Sequence, residues 1–273
     1  MKKINFIKMQ SLGNDFVIID HIKKSYKLNK NDIKKISDRN YGIGCDQVLI
    51  LEKSNKKDIA FKYKIYNKDG SESGQCGNGA KCIAKYYFDK YGKYKKEIKI
   101  ETITNRMVLY NNKNKSYKVD MGIPNFNSKE FISLKRFFIY KGKKYLYKTI
   151  SIGNPHAVFI FKGIEKINLK HFSGQFNKKK YFKNGVNISL VENIKNNNWL
   201  ARIYERGSGE TKSCGSAACA ISVCTKILSN SLLDNSYVHM YGGKAQVKWS
   251  GKEFDSVYLI GTAEYVFKGT CTI

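Results

Sequence analysis

Short apolar or alternating runs dominate the first half of the chain, and such runs predict strands more often than helices. Strands are expected at residues 4–9, 16–20, 48–51 and 59–66, and within 98–121 around an Asn- and Lys-rich hairpin at 111–116. Gly13-Asn14-Asp15 is expected to form the first turn. Helical spacing is limited to two segments, one capped by Asn31 and ending near Arg39, and one over residues 80–91 that Gly92 ends.

The second half repeats this order of patterns. Strands are expected at residues 131–140, 145–152, 157–161, 186–191, 199–204, 237–241, 245–249 and 257–260. The helical segment over residues 217–228 is apolar on nearly all sides, which is typical of a helix buried inside a surrounding sheet. A boundary between the two halves is expected near Gly122-Ile123-Pro124, where proline interrupts strand pairing.

One cysteine motif occurs twice, from position 76 to 80 and again from position 214 to 218. The motif reads Cys-Gly-Asn-Gly-Ala in the first copy and Cys-Gly-Ser-Ala-Ala in the second, and Tyr66 and Tyr204 precede the two copies at the same offset. A nearby offset aligns Asn14 with Asn154, and Gln47 with Asn187. The repeat predicts two similarly folded halves, and closure about a pseudo-twofold axis would bring the two cysteines to face one cleft.

Composition narrows the possible functions. The chain has 273 residues and a formal net charge of +28, but its lysines are spread over nearly every loop and no nucleic-acid-binding motif accompanies them. We therefore expect no nucleic-acid partner. Uninterrupted apolar stretches of about 18 residues are missing, and the N-terminal residues do not resemble a signal peptide, so a soluble, cytoplasmic protein without a membrane partner is expected.

The cysteines do not suggest a disulfide framework or a metal site. There are 7 of them, an odd number without a CxxC pair, and the 4 histidines do not cluster near them in sequence. Reduced thiols and no bound metal are therefore expected. Cys82, Cys219 and Cys224 lie within the expected helices, where they would serve as packing residues.

Cys76 and Cys214 each precede the expected start of a helix, and this position favours negative charge. A thiol there should lose its proton more readily, and a substrate carboxylate should be bound by free backbone N–H groups. Two such thiols can invert an α-amino acid, since one removes the α-proton and the other returns a proton to the opposite face. A single buried cysteine is most often an inert packing residue, but the matched repeat favours catalysis.

Polar residues at repeated turn positions form a second set of candidates. An Asn in a turn commonly satisfies backbone groups, so each one alone is a weak signal, and their coincidence with the repeat strengthens it. Glu205 can accept from an ammonium group and Arg206 can donate to a carboxylate, as an amino-acid substrate requires. His156 can tune a thiol. The set comprises Asn14, Gln47, Asn67, Asn154, Asn187, Glu205 and Arg206.

Motifs in a fixed order make the whole chain resemble the diaminopimelate epimerase family. They are Leu12-Gly13-Asn14-Asp15-Phe16, Asn67-Lys68-Asp69-Gly70-Ser71, Gln75-Cys76-Gly77-Asn78-Gly79-Ala80, Gly153-Asn154-Pro155-His156, and Glu205-Arg206-Gly207 followed by Gly209-Glu210-Thr211 and Cys214-Gly215. The resemblance implies a cofactor-independent enzyme that interconverts LL- and meso-diaminopimelate, on the route to lysine and peptidoglycan.

The resemblance also implies a role for each site residue. Cys76 and Cys214 would be the acid and base pair, and His156 and Glu205 would modulate the thiol pKa. Substrate contacts would come from Asn14, Gln47, Asn67, Gly77, Asn78, Asn154, Asn187, Glu205, Arg206, Gly215 and Ser216. Ser216 departs from the threonine that is common in the family.

The fold implied by the resemblance is α/β (α+β), with two pseudo-symmetric domains, each a barrel-like, mostly antiparallel sheet around a central helix. The first domain would span residues 1–121 and be joined by the C-terminal strand 263–273, and the second would span residues 122–262. A homodimer is implied as well. Phe267 stands where relatives carry a tyrosine whose hydroxyl supports the dimer interface, which puts the strength of the dimer in question.

Several alternative functions fit the sequence less well. A proline or hydroxyproline racemase would also use two cysteines, but a cyclic imino acid would leave Glu205-Arg206 without a task. Phenazine-type isomerases on the same scaffold lack the paired cysteines, and a pyridoxal-phosphate racemase would need a Schiff-base lysine and a phosphate loop. A nucleic-acid-binding module is suggested only by charge, and a thiol-redox protein only by cysteine number.

Overall fold

The structure, a computed structural model, describes residues 3–112, 114–132 and 136–273. It divides into two compact units, the first formed by Met1–Asp120 and Gly261–Ile273 and the second by Met121–Ile260. Met121 is attached to the second unit because its N–H donates to Val257 O. Within these described ranges, no helix combines the length and the apolar character needed to cross a membrane.

The first unit is a sheet with two helices, its elements being numbered along the chain. Its strands are β1 (Lys3–Ser11), β2 (Asn14–His21), β3 (Gln47–Glu52), β4 (Lys62–Asn67), β5 (Glu72–Ser73), β6 (Glu97–Glu101), β7 (Arg106–Asn111), β8 (Tyr117–Asp120) and the last strand of the chain, β18 (Glu264–Thr272). Its helices are α1 (Lys30–Ser37) and α2 (Gly77–Lys90).

Most strand pairs in this unit are antiparallel. β1 pairs with both β2 and β18, β3 pairs with β4, β4 pairs with β5, and β6, β7 and β8 follow as antiparallel neighbours. Among the described strands, β2 pairs with β3 and β4 pairs with β6 in parallel. Each of these parallel pairs is connected through a helix, α1 in the first case and α2 in the second.

The second unit repeats this plan. Its strands are β9 (Phe137–Tyr140), β10 (Lys143–Ser151), β11 (Pro155–Ile160), β12 (Asn187–Lys195), β13 (Asn198–Glu205), β14 (Gly209–Thr211), β15 (Asn235–Met240), β16 (Gly243–Lys248) and β17 (Tyr258–Gly261). Its helices are α3 (Leu169–Asn177) and α4 (Gly215–Ser229). Parallel pairing of β11 with β12 and of β13 with β15 recurs at the positions equivalent to those in the first unit, so the prediction of two similarly folded halves is confirmed.

The helix that follows each repeated cysteine is the most buried helix of its unit. α2 contacts β1, β2, β7 and β8, and α4 contacts β10, β11, β12, β15 and β16. Ala217, Ala218 and Ala220 are fully buried, and these small side chains allow strands to approach α4 from several sides. The expectation of a buried helix inside a sheet is confirmed, and each cysteine stands at the start of such a helix.

Local details differ from the sequence-based expectations. The first turn lies at Leu12-Gly13, where both residues have positive φ, as a two-residue hairpin requires. The N-cap of α1 is Asn29 instead of Asn31, because the Asn29 side chain accepts from the N–H groups of Asn31 and Asp32. Helix α3 was not predicted. Two of its four buried side chains, Phe172 and Phe176, are aromatic, and aromatic residues are also common in strands.

Two expected elements fall partly outside the described residues. The hairpin at 111–116 contains residue 113, and the strand at 131–140 contains residues 133–135. Within the described part of the second of these segments, the strand covers Phe137–Tyr140.

Candidate functional site

Cys76 is the N-cap residue of α2, with an extended backbone at φ −148° and ψ 107°. Its sulfur accepts a hydrogen bond from the N–H of Gly79 at 3.3 Å, and its carbonyl oxygen lies 3.5 Å from the Tyr63 hydroxyl. The thiol is partly exposed, whereas Gly77 and Asn78 in the first turn of the helix are buried. The sulfur therefore lies beside the positive end of the helix dipole, as the sequence predicted.

The amide side chains expected near this cysteine lie at the ends of neighbouring strands. Gln47 and Asn67 are paired across β3 and β4, and Gln47 Nε2 donates to Asn67 Oδ1 at 2.9 Å. Asn67 Nδ2 donates in turn to Ser71 Oγ at 3.0 Å. Asn14 begins β2, and its Nδ2 donates to Asp46 Oδ2 at 2.8 Å. Neither Asp46 nor Ser71 was predicted as a site residue, although Asp46 directly precedes Gln47 and Ser71 ends the motif that begins at Asn67.

A network of ion pairs surrounds Asp15 and Asp46. Arg39 donates to Asp15 Oδ1 at 2.6 Å and to Asp46 Oδ1 at 3.0 Å, while Lys8, which is nearly buried, donates to Asp15 Oδ2 at 2.5 Å. Burial by itself would raise the pKa of Asp15, but the hydrogen bonds from Arg39 and Lys8 outweigh that effect and lower its pKa to about 2. Lys68 also pairs with Asp46, at 3.3 Å. Both carboxylates are therefore held among cations.

Cys214 is the N-cap residue of α4 and is buried more deeply than Cys76. Burial raises its pKa well above the usual thiol value, and the negative charge of Glu205 raises it further. The Ser216 hydroxyl and the Ala217 N–H act in the opposite direction without overcoming burial. The expectation that a helix N-terminus lowers the thiol pKa is therefore wrong for Cys214, which is a neutral thiol near pH 7.

His156 reaches this thiol through the hydroxyl of Ser216. Its Nε2 lies 2.9 Å from Asn154 Oδ1 and 3.1 Å from Ser216 Oγ, and Ser216 Oγ lies 3.4 Å from Cys214 Sγ. Complete burial lowers the pKa of His156 to about 3, so the imidazole is neutral. A neutral imidazole whose Nε2–H faces Asn154 Oδ1 can also donate to Ser216 Oγ, which leaves the serine proton for the sulfur.

Glu205 and Arg206 occupy the end of β13 and the turn that follows it. Thr211 Oγ1 donates to Glu205 Oε1 at 2.7 Å, and the backbone N–H of Arg206 donates to Asn187 Oδ1 at 2.8 Å. The guanidinium of Arg206 donates to Asn184 O at 3.1 Å and lies 3.7 Å from Glu130. Thr211 was not predicted as a partner of Glu205, although it stands three residues before Cys214, as Ser73 stands three residues before Cys76.

The contacts of the expected site residues form several separate clusters within each unit. In the first unit, the structure joins Gln47 to Asn67 and places Cys76, Gly77 and Asn78 together at the start of α2. In the second unit, contacts connect Asn154, His156, Ser216, Cys214 and Glu205, and a separate contact connects Asn187 to Arg206. Gly215 is the first residue of α4 and is buried.

Further cysteines lie within the two helices that begin at the repeated cysteines. Cys82 and Cys224 are fully enclosed within helices α2 and α4, and burial raises the pKa of Cys224 to about 12. Among the residues that the structure describes, no group of three or more His, Cys, Asp or Glu side chains is arranged to hold a metal ion.

Replacing Ser216 with alanine is expected to raise the pKa of Cys214, because the hydroxyl group stabilises the thiolate by a hydrogen bond. If Cys214 acts as the acid that the sequence predicts, the basic limb of the pH profile of kcat/KM reports the loss of its proton and should move to higher pH. The maximal kcat/KM should fall about tenfold, the value of one hydrogen bond to a charged group. Profiles that extend well above the usual pKa of a thiol would measure both effects.

Ser216→Thr keeps the hydroxyl and should retain the wild-type profile. Ser222→Ala serves as the matched control, since Ser222 is a buried serine of the same helix whose hydroxyl contacts Ser236 at 2.9 Å. An unchanged basic limb in Ser216→Ala would show that the hydroxyl does not act on the thiol.

Comparison with known proteins relates the sequence of the chain to one family. The family model described as diaminopimelate epimerase matches residues 6–127 and 148–266. A diaminopimelate epimerase from Vesicomyosocius okutanii is 35% identical over 272 residues, covering 99% of both chains. A diaminopimelate epimerase from Blochmanniella pennsylvanica is 37% identical, covering 97% of this chain and 98% of its own.

Solved structures with the same fold are more distant in sequence. A PhzF-family phenazine biosynthesis protein from Bacillus anthracis superposes with a TM-score of 0.75 at 18% identity, covering 100% of both chains. At this identity the likeness concerns the fold alone.

Proposed function

Because the chain belongs to the diaminopimelate epimerase family, we propose that it interconverts LL- and meso-diaminopimelate by a two-thiol mechanism without a cofactor. The observation that carries the proposal is the family match over nearly the whole chain, together with a cysteine at the start of the buried helix of each unit. The activity is that of an isomerase, and its product serves lysine and peptidoglycan synthesis in the cytoplasm.

Substrate binding is proposed to begin with the carboxylate of the reacting centre. The backbone N–H groups of Gly77 and Asn78 at the start of α2, and of Gly215 and Ser216 at the start of α4, are the donors that an anion at a helix N-terminus would use. Such donors stabilise the negative charge that accumulates on the carboxylate when the α-proton leaves. They therefore lower the barrier to deprotonation more than they stabilise the bound substrate.

The chemical step requires one thiolate and one thiol. Since burial and Glu205 keep Cys214 protonated, Cys76 is proposed to be the thiolate in the resting enzyme. Its sulfur takes the α-proton, the electron pair of the C–H bond passes into the carboxylate, and the Cys214 thiol then gives a proton to the opposite face of the same carbon. The product leaves with Cys76 protonated and Cys214 ionised, which is the form that catalyses the reverse reaction.

Recognition of the substrate is proposed to use the polar residues around each thiol. Arg206 N–H holds Asn187 Oδ1, so the Nδ2 donor of Asn187 remains available for a carboxylate. Arg206 supplies a charged donor, and Glu205 accepts from an ammonium group. Asn14, Gln47, Asn67 and Asn154 complete the set of polar contacts, and His156 is proposed to modulate Cys214 through Ser216.

The test is proton exchange at the α-carbon of LL-diaminopimelate in D2O under reducing conditions. Formation of the meso isomer with one deuterium at the inverted centre would support the proposal. A folded protein that exchanges no α-proton of diaminopimelate would refute it, and L-proline and trans-4-hydroxy-L-proline would then be the next substrates to assay.

We also propose that the enzyme forms a homodimer through β18. Tyr265, Val266 and Phe267 on this strand are 44%, 54% and 49% exposed, which is unusual for three consecutive large apolar side chains.

Phe267→Lys is expected to shift the protein toward the monomer, because it places a charge in an apolar contact. Light scattering after gel filtration would measure the mass. A change of Leu232, which is 96% exposed, to lysine is the surface control.

A further inference from the structure

The orientation of an amide side chain decides what it can bind, because its two polar ends have opposite roles. The carbonyl oxygen accepts a hydrogen bond and the NH2 group donates one. A partner that can only accept hydrogen bonds forces the amide to turn its NH2 group toward that partner, and the carbonyl oxygen is then left for a ligand. An ionised carboxylate is such a partner, and two carboxylates orient side-chain amides in the first unit.

Asp46 controls Asn14 directly. Asp46 Oδ2 accepts from Asn14 Nδ2 at 2.8 Å, while Oδ1 is held by Arg39 at 3.0 Å and Lys68 at 3.3 Å. The Asp46 backbone also donates to Asp15, so the carboxylate is held from several sides. Because an ionised carboxylate has no proton to give, Asn14 must present its NH2 group, and its carbonyl oxygen is the acceptor left for substrate.

Asp69 controls Gln47 through two intermediate side chains. Asp69 Oδ1 accepts from Ser71 Oγ at 2.6 Å and from Ser71 N at 2.9 Å, and these hydrogen bonds lower the Asp69 pKa. The single hydroxyl proton of Ser71 is thereby used, so Ser71 Oγ must accept from Asn67 Nδ2. Asn67 Oδ1 then faces Gln47 and accepts a hydrogen bond from Gln47 Nε2. Gln47 is left with Oε1 as its acceptor.

The two oriented amides belong to neighbouring strands. Asn14 and Gln47 are the first residues of β2 and β3, which run parallel, with Phe16 paired to Gln47. Two carbonyl oxygens at one end of a parallel pair favour a ligand group that only donates, such as an ammonium. In the second unit, the donor-only N–H of Arg206 orients Asn187 in the opposite sense and leaves an NH2 group.

We propose that Asp46 and Asp69 are positioning residues that orient Asn14 and Gln47 so that both present carbonyl oxygens to the ammonium group of the substrate. The inference rests on the proposed function. It adds that two carboxylates, which do not contact the substrate themselves, decide which end of each amide faces the substrate. When Asp46 or Ser71 is lost, an amide can turn its NH2 group toward the ammonium. Two hydrogen-bond donors then face each other and repel.

A double-mutant cycle tests the first relay. Asp46→Ala is expected to lower kcat/KM for LL-diaminopimelate about 10- to 100-fold, mainly through KM, as loss of a charge-linked contact does. In an Asn14→Ala background the same change should cost less than about threefold, because Asp46 acts through the missing amide. Independent, multiplicative losses would overturn the proposal for Asp46 and leave it a purely structural residue.

Ser71 gives the equivalent test of the second relay. Ser71→Ala should raise KM in the wild type but not in a Gln47→Ala background, and Ser71→Thr, which keeps the hydroxyl, should restore the wild-type KM. Asp20→Ala is the matched control, since Asp20 is a half-buried carboxylate of the same unit that accepts from Lys90, Tyr86 and Tyr91. It should lower thermal stability without changing KM. Failure of Ser71→Thr to restore KM would overturn this relay.

Side-chain amide NMR separates failure of this inference from failure of the proposed function. With 15N-labelled Asn and Gln, Asp46→Ala should speed hydrogen exchange of the Asn14 NH2 group, and Ser71→Ala should do so for Gln47. If the wild type fails to exchange the α-proton of diaminopimelate but these NMR changes occur, the proposed substrate is wrong and the orienting carboxylates stand. If catalysis is present and neither amide responds, the orienting relays are wrong.

Discussion

Cys76→Ala and Cys214→Ala are each expected to lower kcat/KM for epimerisation about 10²- to 10⁴-fold, the usual contribution of a positioned acid or base. Inversion requires one thiol to remove the α-proton and the other to return a proton to the opposite face. Removing either thiol should therefore abolish inversion in both directions. The double variant should be scarcely worse than either single variant, because the two thiols act as a unit. The measurement is the rate of inversion and of deuterium uptake, each followed separately.

Cys82→Ala and Cys224→Ala are the matched controls, since they remove buried thiols from helices α2 and α4. These changes should cost stability through small cavities and leave the rate within a few-fold of wild type. If a folded Cys214→Ala protein inverts the substrate at the wild-type rate, Cys214 is excluded as an acid or base. The same result for Cys76→Ala would exclude Cys76.

Gly79→Ala is expected to be the most damaging single-methyl change near the thiol. A Cβ at this position would lie 2.4 Å from Tyr63 Oη, 3.1 Å from Leu49 Cδ1 and 3.3 Å from Cys76 Sγ. Relief of these contacts should cost about 1–3 kcal/mol of unfolding free energy, as in other overpacked cores. Displacement of the Gly79 N–H from the sulfur should also lower kcat/KM. Urea unfolding and steady-state rates would measure the two effects.

Tyr63→Phe provides a rescue, because it removes the hydroxyl group nearest to the added methyl. The double variant Gly79→Ala with Tyr63→Phe should recover part of the lost stability. Gly174→Ala is the control, since no atom lies within 4 Å of its added Cβ and the residue sits within helix α3. It should be neutral or stabilising. Equal stability losses for Gly79→Ala with and without Tyr63→Phe would rule out the clash with the hydroxyl as the cause.

Most strands were predictable because their burial alternates, and alternation is visible in sequence. β6, for example, buries only Ile98 and Ile100 from its five residues. α3 was missed although its signals are local, because Leu169, Phe172 and Phe176 follow the i, i+3, i+7 spacing of a helix. Asn168 also caps the start of this helix. Packing of the two phenylalanines against Phe138 and Phe159 then stabilises it.

Some properties of the candidate site were likewise predictable from the sequence, and others were not. Its residue types and their repeat spacing were readable because chemistry demands particular side chains at particular helix starts, as for Cys76. The pKa of Cys214 was not readable, since burial acts against the helix dipole and its extent follows from the whole surrounding fold. Nor was the link from Asp69 to Gln47, because it passes through side chains of a turn and two strands.

The sequence by itself determined the repeat, the strand-rich halves, the family and the paired thiols, because each depends on residue identity and spacing along one chain. Tertiary structure alone decided that the pKa of Cys214 is raised, which way the amides of Asn14 and Gln47 face, and how closely Gly79 is packed. Those properties depend on desolvation, on hydrogen-bond partners and on interatomic distance. All three are set by residues that are far apart in sequence and become neighbours only when the sheet closes around its helix.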